Sequence, residues 1–253
     1  MRVFAITCGW LSSDLGLILD GESGTVRLPI PAYLIEHSRG TVLFDSGMHP
    51  DLQRDPLGRL GPVVGSLFGV EFTPGEEIGA RLTTLGIDPA SIWYLVNSHL
   101  HFDHTGGNAQ IPNARLVVQR PEWEAGMDPE RAARNAFDRR DYDLGHDVQL
   151  LDGEHDLFGD GRVVCVPTYG HTPGHQSLRV RLDDGSTIVL AGDACYLRRT
   201  LEHFHLPRYV YDREAMLTVL RRFREWQGAG ARILFGHDAE IWATIPQAPA
   251  ELR

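Results

Sequence analysis

Ten short runs of apolar and β-branched residues recur along the chain, and most of them are bounded by glycine, proline, asparagine or aspartate. This pattern predicts buried or half-buried β-strands. The predicted strands cover residues 2–8, 32–36, 41–45, 92–98, 115–119, 148–151, 162–168, 176–182, 187–192 and 231–235. Asp183, Asp184 and Gly185 separate two of these runs and indicate a hairpin turn.

Helical signals are fewer than strand signals. Thr73 and Glu76 have the spacing of a capping box, which predicts a helix over residues 76–85. Asp212 is suited to cap a longer helix that runs to Trp226, because apolar residues recur there at helical spacing. A chain with many strands and a few interspersed helices favours two sheets that pack face to face, with the helices outside.

Composition narrows the class of protein. Of the 253 residues, 42% are hydrophobic and 23% are charged, which is typical of globular proteins, and no linker or low-complexity tract divides the chain. We therefore expect a single domain over residues 1–253. No apolar run approaches the roughly 18 residues of a membrane span, and residues 1–10 lack a signal-peptide pattern. We expect a cytoplasmic protein without a membrane partner.

Acidic residues outnumber basic ones. The formal net charge of −10 argues against nucleic acid as a partner. Cys8, Cys165 and Cys195 lie far apart in the sequence and form no CxxC pair. We therefore expect neither a disulfide framework nor a cysteine zinc site, in keeping with a reducing compartment.

Two stretches of the sequence are similar to one another. Residues 41–47 and residues 187–193 each run from a β-type segment into a small turn that carries an aspartate, Asp45 or Asp193. An internal duplication would produce this similarity. Chance remains an equal alternative, because strand ends commonly carry aspartate and glycine.

The sharpest feature is a cluster of histidines and an aspartate at the end of the predicted strand 92–98. His99, His101, Asp103 and His104 lie within six positions, and two glycines follow closely. Side chains of an extended chain alternate between two faces, so His99 and His101 would point to the same side and could share a cation. Clustered imidazoles beside a carboxylate have little use in packing. The segment therefore predicts a metal site, with Asp103 and His104 within reach of a second ion.

Further ligand-type residues follow three other predicted strands. His171 and His175 come after strand 162–168, Asp193 comes after strand 187–192, and His237 comes after strand 231–235. At each place a small residue lies close to the ligand-type side chain. Because four ligands from one segment would not complete two sites, we expect these strand ends to supply the rest.

These motifs resemble those of the metallo-β-lactamase superfamily, whose hallmark is HxHxDH followed by a downstream histidine, a bridging aspartate and a last histidine. The resemblance spans nearly the whole chain and implies that superfamily's α+β fold, an αβ/βα four-layer sandwich of two mixed β-sheets. It also implies two divalent metal ions per chain, with zinc as the default and cobalt, manganese or iron as alternatives. The implied ligands are His99, His101 and His171 for the first metal and Asp103, His104 and His237 for the second, with Asp193 bridging. It places His175 behind the ligands.

Within that superfamily the chain is most similar to the N-acyl-homoserine lactone lactonases, which quench quorum sensing. The shared strings are HLHFDHxGGN from His99, GHTPGHQSL from Gly170, DAxY from Asp193 and FGHD from Phe235. Secreted β-lactamases, glyoxalase II-type thioesterases, RNA-processing enzymes and mononuclear iron dioxygenases of this fold match the residues, charge or length less well. Tyr196 is the discriminating residue, because its phenol could reach the substrate carbonyl or ring oxygen. A core tyrosine beside a strand end is the alternative.

The resemblance implies a hydrolase in which a metal-bridging hydroxide attacks the lactone carbonyl carbon. Tyr196 would stabilise the oxyanion, and Asp103 would carry a proton to the departing ring oxygen. The same centre acting on another lactone, an aryl ester or a phosphotriester stays open. An iron oxidoreductase of this fold and a metal-stabilised binding protein are the alternatives from other classes.

The sequence gives weaker signals for substrate recognition than for the metal site. Residues 60–70 are unusually apolar for a surface loop and could wall an acyl-chain groove or form a homodimer contact. Trp10, Leu11 and residues 203–205 could line the mouth of the site or pack onto the core. His203 and His205 repeat the HxH spacing, but no buried strand precedes them, so we do not expect them to be ligands.

Overall fold

The computed structural model describes residues 1–252, which contain twelve strands. These are β1 (Arg2–Asp14), β2 (Thr25–His37), β3 (Gly40–Phe44), β4 (Phe68–Glu71), β5 (Tyr94–Val96), β6 (Arg115–Gln119), β7 (Val148–Leu151), β8 (His155–Asp156), β9 (Val163–Pro167), β10 (Gln176–Arg181), β11 (Thr187–Leu190) and β12 (Arg232–Leu234). All ten predicted strands are present, and β6 and β7 have the predicted bounds. The hydrophobic pattern does not predict β4 and β8.

The strands form two mixed sheets, as expected. The seven-stranded sheet has the order β4-β1-β2-β3-β5-β6-β7, and the five-stranded sheet has the order β12-β11-β10-β9-β8. The two strands that the sequence pattern misses, β4 and β8, are each an edge strand. Edge strands bury less of their length and carry a weaker apolar signal. β1 and β2 extend well beyond their predicted bounds, because they pair with each other from Arg2↔Glu36 to Asp14↔Thr25.

One buried layer lies between the two sheets, and another lies between the sheets and the helices. Successive residues of β1 alternate between them: Val3 and Ala5 pack with strands of the second sheet, whereas Phe4 and Ile6 pack with the helix-side core. This period of two is what an antiparallel strand with both faces covered requires. The result is the four-layer sandwich that the sequence motifs imply.

Nine α-helices lie within residues 1–252. They are α1 (Leu15–Ile18), α2 (Pro56–Gly65), α3 (Ile78–Thr84), α4 (Phe102–Thr105), α5 (Arg120–Met127), α6 (Pro129–Arg134), α7 (Arg198–His203), α8 (Arg213–Gly228) and α9 (Ala239–Trp242). Short 3-10 helices cover Pro50–Gln53, Pro89–Ser91, Asn108–Gln110, Arg139–Asp141 and Gly192–Ala194. None of the described helices is long and apolar enough to cross a bilayer.

The two predicted helices exist, but one starts later than expected. Asp212 caps α8 by accepting a hydrogen bond from the Ala215 backbone N–H at 3.0 Å, as predicted. The helix predicted over residues 76–85 is α3, which begins at Ile78. Glu76 instead accepts hydrogen bonds from the backbone N–H of Thr73 at 2.8 Å and from its hydroxyl at 3.0 Å. These bonds close a turn before the helix, so the capping-box spacing does not mark the helix start.

Residues 60–70 are not a plain loop, contrary to the expectation from their sequence. They include the second half of α2 and most of β4. Gly61 has φ of +73° and splits α2 into two pieces, and Pro62 follows it at the start of the second piece. Glycine and proline that interrupt a helix in this way also give the sequence the composition of a loop.

Candidate metal centre

The seven candidate ligands come from four strand ends that meet at one edge of the two sheets. His99 follows β5, His171 follows β9, Asp193 follows β11 and His237 follows β12. β11 and β12 run parallel, as do β3 and β5, so their carboxyl ends emerge on the same side. His99, Asp103, His104, His171, Asp193 and His237 are buried, and His101 is half-buried.

His99 and His101 converge, but not by the strand alternation that the sequence predicts. β5 ends at Val96, before either histidine. His101 lies at the N-terminal cap of α4, and the turn between strand and helix brings the two ring nitrogens within 2.9 Å. Asp103 and His104 are consecutive residues of α4. The two histidines therefore converge because of a turn, and not because of the strand alternation that the sequence pattern predicts.

The ligand-type atoms fall into two groups. Those of His99, His101, His171 and Asp193 lie within 4.8 Å of one another, and so do those of Asp103, His104 and His237. Asp193 spans both groups. Its Oδ2 is 3.3 Å from His171 Nε2, and its Oδ1 is 2.9 Å from His237 Nε2 and 3.2 Å from His104 Nε2. The fold thus brings all seven residues together in the grouping that the motifs imply.

Hydrogen bonds behind the histidines determine which ring nitrogen faces the site. His104 Nδ1 lies 2.8 Å from Asp45 Oδ2, and His237 Nδ1 lies 2.8 Å from the Pro29 carbonyl oxygen. His101 Nε2 lies 2.8 Å from the Asn135 carbonyl oxygen. Each of these acceptors requires an N–H, so the opposite nitrogen of a neutral ring presents a lone pair to the site. This arrangement is the usual way in which metal-binding histidines are oriented.

The inward nitrogens of His104 and His237 face the Asp193 carboxylate, and the inward nitrogen of His101 faces ring nitrogens of His99 and His171. His104 Nε2 and Asp193 Oδ1 are both buried without a hydrogen-bond partner among the described residues. Two sets of acceptors that face each other repel unless positive charge lies between them. Imidazole nitrogens and carboxylate oxygens are ligands of divalent zinc and its neighbours, so these residues fit a metal centre.

The shifts in pKa within the site also indicate that its carboxylates need positive charge beside them. Burial alone would raise the pKa of Asp193, but His237 and His104 bring it well below its usual range. Burial would lower the pKa of His104, but Asp103, Asp193 and Asp45 hold it well above its usual value. Burial lowers the pKa of His99 and His171 well below normal, which keeps these rings neutral and able to bind a metal. Without a cation, protons on the histidines would have to supply the charge.

Asp45 belongs to the site, although the sequence motifs do not identify it as a site residue. Its Oδ1 accepts a hydrogen bond from the Ser98 backbone N–H at 2.7 Å, and its Oδ2 accepts from the Ser98 hydroxyl and from His104 Nδ1, each at 2.8 Å. Ser98 Oγ is in turn 2.9 Å from His99 Nδ1. The similarity between residues 41–47 and residues 187–193 was the available signal, because each stretch carries an aspartate in the turn that follows its strand.

His175 lies behind the candidate ligands. Its Nε2 accepts a hydrogen bond from the Asp193 backbone N–H at 3.0 Å, and its Nδ1 is 2.8 Å from the Thr168 hydroxyl. Burial lowers the pKa of His175 to about 3, so the ring stays neutral and can accept from that N–H. Its contact with the Asp193 backbone supports the segment that presents the Asp193 carboxylate.

Tyr196 borders both the metal centre and the adjoining cavity. Its hydroxyl lies 3.4 Å from His171 Nδ1, and the residue is 8% exposed. Burial, and after it the charges of Asp193 and Asp103, raises the pKa of Tyr196 well above its usual value, so the phenol remains an O–H donor. Burial also raises the pKa of Cys195, which keeps its thiol protonated and unsuited to act as a nucleophile.

A cavity of about 830 Å³ opens over these residues. Apolar side chains form much of its lining, namely Leu11, Leu17, Ile18, Leu28, Val64, Leu67 and Phe68. The apolar segment 60–70 therefore contributes to the wall, as one of its two interpretations predicts. Trp10 does not line this cavity, and its ring stacks against Arg27, with the guanidinium carbon 3.8 Å from the ring centroid. His205 contacts the Asp20 carbonyl oxygen at 2.7 Å instead of lining the cavity.

Known proteins are similar to this chain in sequence and in fold. The model of the metallo-beta-lactamase superfamily matches residues 25–237. An N-acyl homoserine lactonase, AttM of Azorhizobium caulinodans, is 34% identical over 98% of this chain and 97% of that protein. The N-acyl homoserine lactonase AiiA of Bacillus thuringiensis subsp. kurstaki is 30% identical over 85% of this chain and 83% of that protein.

Solved structures agree with the sequence matches. A structure of an N-acyl homoserine lactone hydrolase, with the product N-hexanoyl-L-homoserine bound at its catalytic metal centre, superimposes with a TM-score of 0.89. It is 27% identical in sequence, and the match covers 99% of this chain and 98% of that one. The chain belongs to the metallo-β-lactamase superfamily, and within it the chain is related to the N-acyl homoserine lactonases.

Proposed function

We propose that this protein is a metal-dependent hydrolase that opens the ring of N-acyl-L-homoserine lactones and so quenches quorum sensing. One observation carries the proposal: Asp193 joins two groups of ligand-type atoms at the buried end of a cavity with an apolar wall. Apolar cavities with a few convergent polar groups are typical of sites for small amphipathic ligands. The relatives named N-acyl homoserine lactonase indicate the substrate class, N-acyl homoserine lactones.

The finer proposal is a dinuclear centre. His99, His101 and His171 would hold one divalent ion, Asp103, His104 and His237 would hold the other, and Asp193 would contact both. Zinc is the default ion for such ligands, with cobalt, manganese and iron as alternatives. Divalent cations held by these residues would supply Lewis acidity, which polarises a lactone carbonyl and lowers the pKa of a water molecule towards neutrality.

Tyr196 has the properties of an oxyanion donor. Its hydroxyl borders the ligand groups, and its raised pKa keeps the proton on the phenol across the neutral range. A buried O–H aimed at the carbonyl oxygen stabilises negative charge more strongly as that charge grows during attack. Tyr196 would therefore bind the carbonyl oxygen more tightly in the transition state than in the substrate.

Asp103 is placed to move a proton. It lines the cavity, and its side chain is 11% exposed, more than that of the deeper Asp193 at 4%. Burial would raise the pKa of Asp103, but His104 and His237 lower it, so the carboxylate is ionised. It would take the proton from the attacking water and deliver it to the ring oxygen as the C–O bond breaks.

The apolar wall of the cavity is suited to the acyl chain. Val64 and Phe68, from α2 and β4, lie on this wall together with Leu17, Ile18 and Leu28. Burial of hydrocarbon contributes about 0.8 kcal/mol per methylene, so affinity for the substrate should grow with acyl length until the wall is covered.

A pH-stat panel tests the substrate class. Homoserine lactones of several acyl lengths are compared with γ-lactones, an aryl ester, a phosphotriester, a thioester and a β-lactam, while the metal content is measured in parallel. We expect about two ions per chain and a kcat/KM for acyl-homoserine lactones that is roughly tenfold or more above that for the other compounds. A faster reaction with another class would reassign the substrate, and one iron per chain with oxygen consumption would overturn hydrolysis.

Two substitutions test the assigned roles. Asp103→Asn should nearly abolish lactone opening while circular dichroism shows a folded protein, because the amide neither binds a metal well nor accepts a proton. Tyr196→Phe should lower kcat by about 10–100-fold, somewhat less than the loss of a sole oxyanion donor, because a metal also polarises the carbonyl. Unchanged turnover of every lactone by Tyr196→Phe would contradict its role.

A further inference from the structure

Glu122 is a buried carboxylate that the reaction does not use. It lies in the first turn of α5 and is completely inaccessible to solvent. The chain has no lysine, and no arginine or histidine among residues 1–252 forms an ion pair with Glu122. Burial raises the pKa of Glu122 to about 7, although the Gly174 backbone N–H, the Thr172 side chain and the Leu100 backbone N–H oppose that rise. A carboxylate without a cationic partner is costly to bury, so its contacts need an explanation.

Those contacts join the two segments that carry three of the candidate ligands. Glu122 Oε1 accepts a hydrogen bond from the Leu100 backbone N–H at 3.0 Å, and Oε2 accepts one from the Gly174 N–H at 2.7 Å. Leu100 lies between His99 and His101, and Gly174 lies between His171 and His175. One carboxylate therefore fixes the backbone on both sides of the first ligand group.

Both segments also pack closely against α5. The Leu100 side chain is buried in a small core with Ala125 of α5. A Cβ added to Gly174 would lie 2.3 Å from the Glu122 backbone nitrogen, a distance that no side chain could occupy. The loop therefore reaches Glu122 only because residue 174 is glycine.

The chemistry explains why an acid is present. Two N–H donors from different segments need two acceptor atoms on one rigid group, and a carboxylate supplies both oxygens without any donor of its own. Glutamine offers one oxygen and an NH₂ group, which would face one of the two N–H donors. Only the acid satisfies both segments.

We propose that Glu122 is a positioning residue that sets the metal position formed by His99, His101 and His171, and not the position formed by Asp103, His104 and His237. This inference rests on the proposed metal centre. Its distinctive consequence is selectivity, because a general loss of structure would affect both positions. The two N–H groups that Glu122 binds lie beside ligands of the first position, Leu100 between His99 and His101 and Gly174 three residues after His171.

The test is metal affinity in Glu122→Gln, measured by competition with a chromophoric chelator and by cobalt absorption spectra of the refilled protein. We expect one of the two ions to bind about 10–100-fold more weakly, the usual effect of losing a group that orients metal ligands, while the other changes by less than about threefold. Glu122→Asp keeps the charge but is one methylene shorter, so it should not reach both N–H groups and should show the same selective loss.

Asp141→Asn is the matched control. Asp141 is also buried, its pKa is likewise raised to about 7 by burial, and it pairs with Arg59 outside the segments that carry the seven ligands. This variant should lower the melting temperature and leave both metal affinities unchanged. Equal weakening of both ions in the Glu122 variants, or no weakening, would overturn the role of Glu122. A wild-type protein that binds no divalent ion would instead overturn the proposed function.

Discussion

Asp45 and Asp193 each lie in the turn that follows one of two similar strands, yet their carboxylates meet opposite surroundings. β3 leads to Asp45 in the seven-stranded sheet, and β11 leads to Asp193 in the five-stranded sheet. Both residues are equally buried, at 3% exposure. One aspartate from each sheet thus lies at the candidate metal centre.

The partners of the two carboxylates differ. Asp45 accepts three hydrogen bonds, from the N–H and the hydroxyl of Ser98 and from His104. Asp193 faces the inward nitrogens of His171, His104 and His237. A carboxylate whose oxygens are satisfied by donors orients its neighbours, whereas one that faces lone pairs is suited to bind a cation. Sequence similarity alone does not separate these two roles.

Backbone conformation after the strand accounts for the different directions. Asp45 itself has φ of +59°, in the left-handed region that aspartate tolerates better than most residues. After β11 the left-handed position falls on Gly192, with φ of +54°, and Asp193 lies in the 3-10 helix Gly192–Ala194. The turn is displaced by one residue, which presents the two side chains differently.

Among the substitutions that test the comparison of Asp45 with Asp193, the largest effect should come from Asp193→Asn. An amide lacks the second oxygen that spans the two ligand groups, so we expect lactone opening to fall by at least about 100-fold, the scale of losing a main electrostatic group of an active site. Metal analysis should show fewer than two ions per chain. The melting temperature of the metal-free variant serves as the folding control. Full activity with one ion would show that Asp193 does not join two metals.

Asp45→Asn should have a smaller but clear effect. An asparagine at this position has one acceptor oxygen fewer, and its NH₂ group can face His104 Nδ1. A neutral His104 would then carry its proton on Nε2, the nitrogen that faces the site. We expect metal affinity or kcat/KM to fall by about 10–100-fold.

Asp160→Asn controls for the Asp45 substitution. His37 Nε2 lies 2.9 Å from Asp160 Oδ2, so the same type of histidine–aspartate pair is weakened away from the centre. This control should leave metal binding unchanged. If Asp45→Asn and Asp160→Asn behave alike, Asp45 has no special role.

Ser98→Ala should produce the smallest effect. The substitution removes one of the three hydrogen bonds to Asp45 and the oxygen near His99 Nδ1, but it keeps the Ser98 backbone donor. The loss of one such bond costs about 1 kcal/mol, or roughly a fivefold decrease in metal affinity or kcat/KM. A decrease as large as that of Asp45→Asn would place the orienting role on the serine hydroxyl.

Much of the fold follows from local sequence. Ten strands are recognisable from their apolar and β-branched runs, and α8 is recognisable from its cap and its apolar spacing. The exceptions have physical causes. β4 and β8 are edge strands with a weak apolar signal, α2 is interrupted by Gly61 and Pro62, and Glu76 closes a turn before α3. In each case packing or a local turn prevails over the average tendency of the residues.

The amino-acid sequence by itself determined which side chains gather at the centre, because their residue types, spacing and positions after strands form one recognisable pattern. Only the tertiary structure decided the separate role of each residue there. The different roles of Asp45 and Asp193 and the contact of Glu122 with two ligand segments depend on which atoms of distant segments face each other. Those directions are fixed by turns and by the meeting of two sheets, and neither can be deduced from the order of residues along one strand.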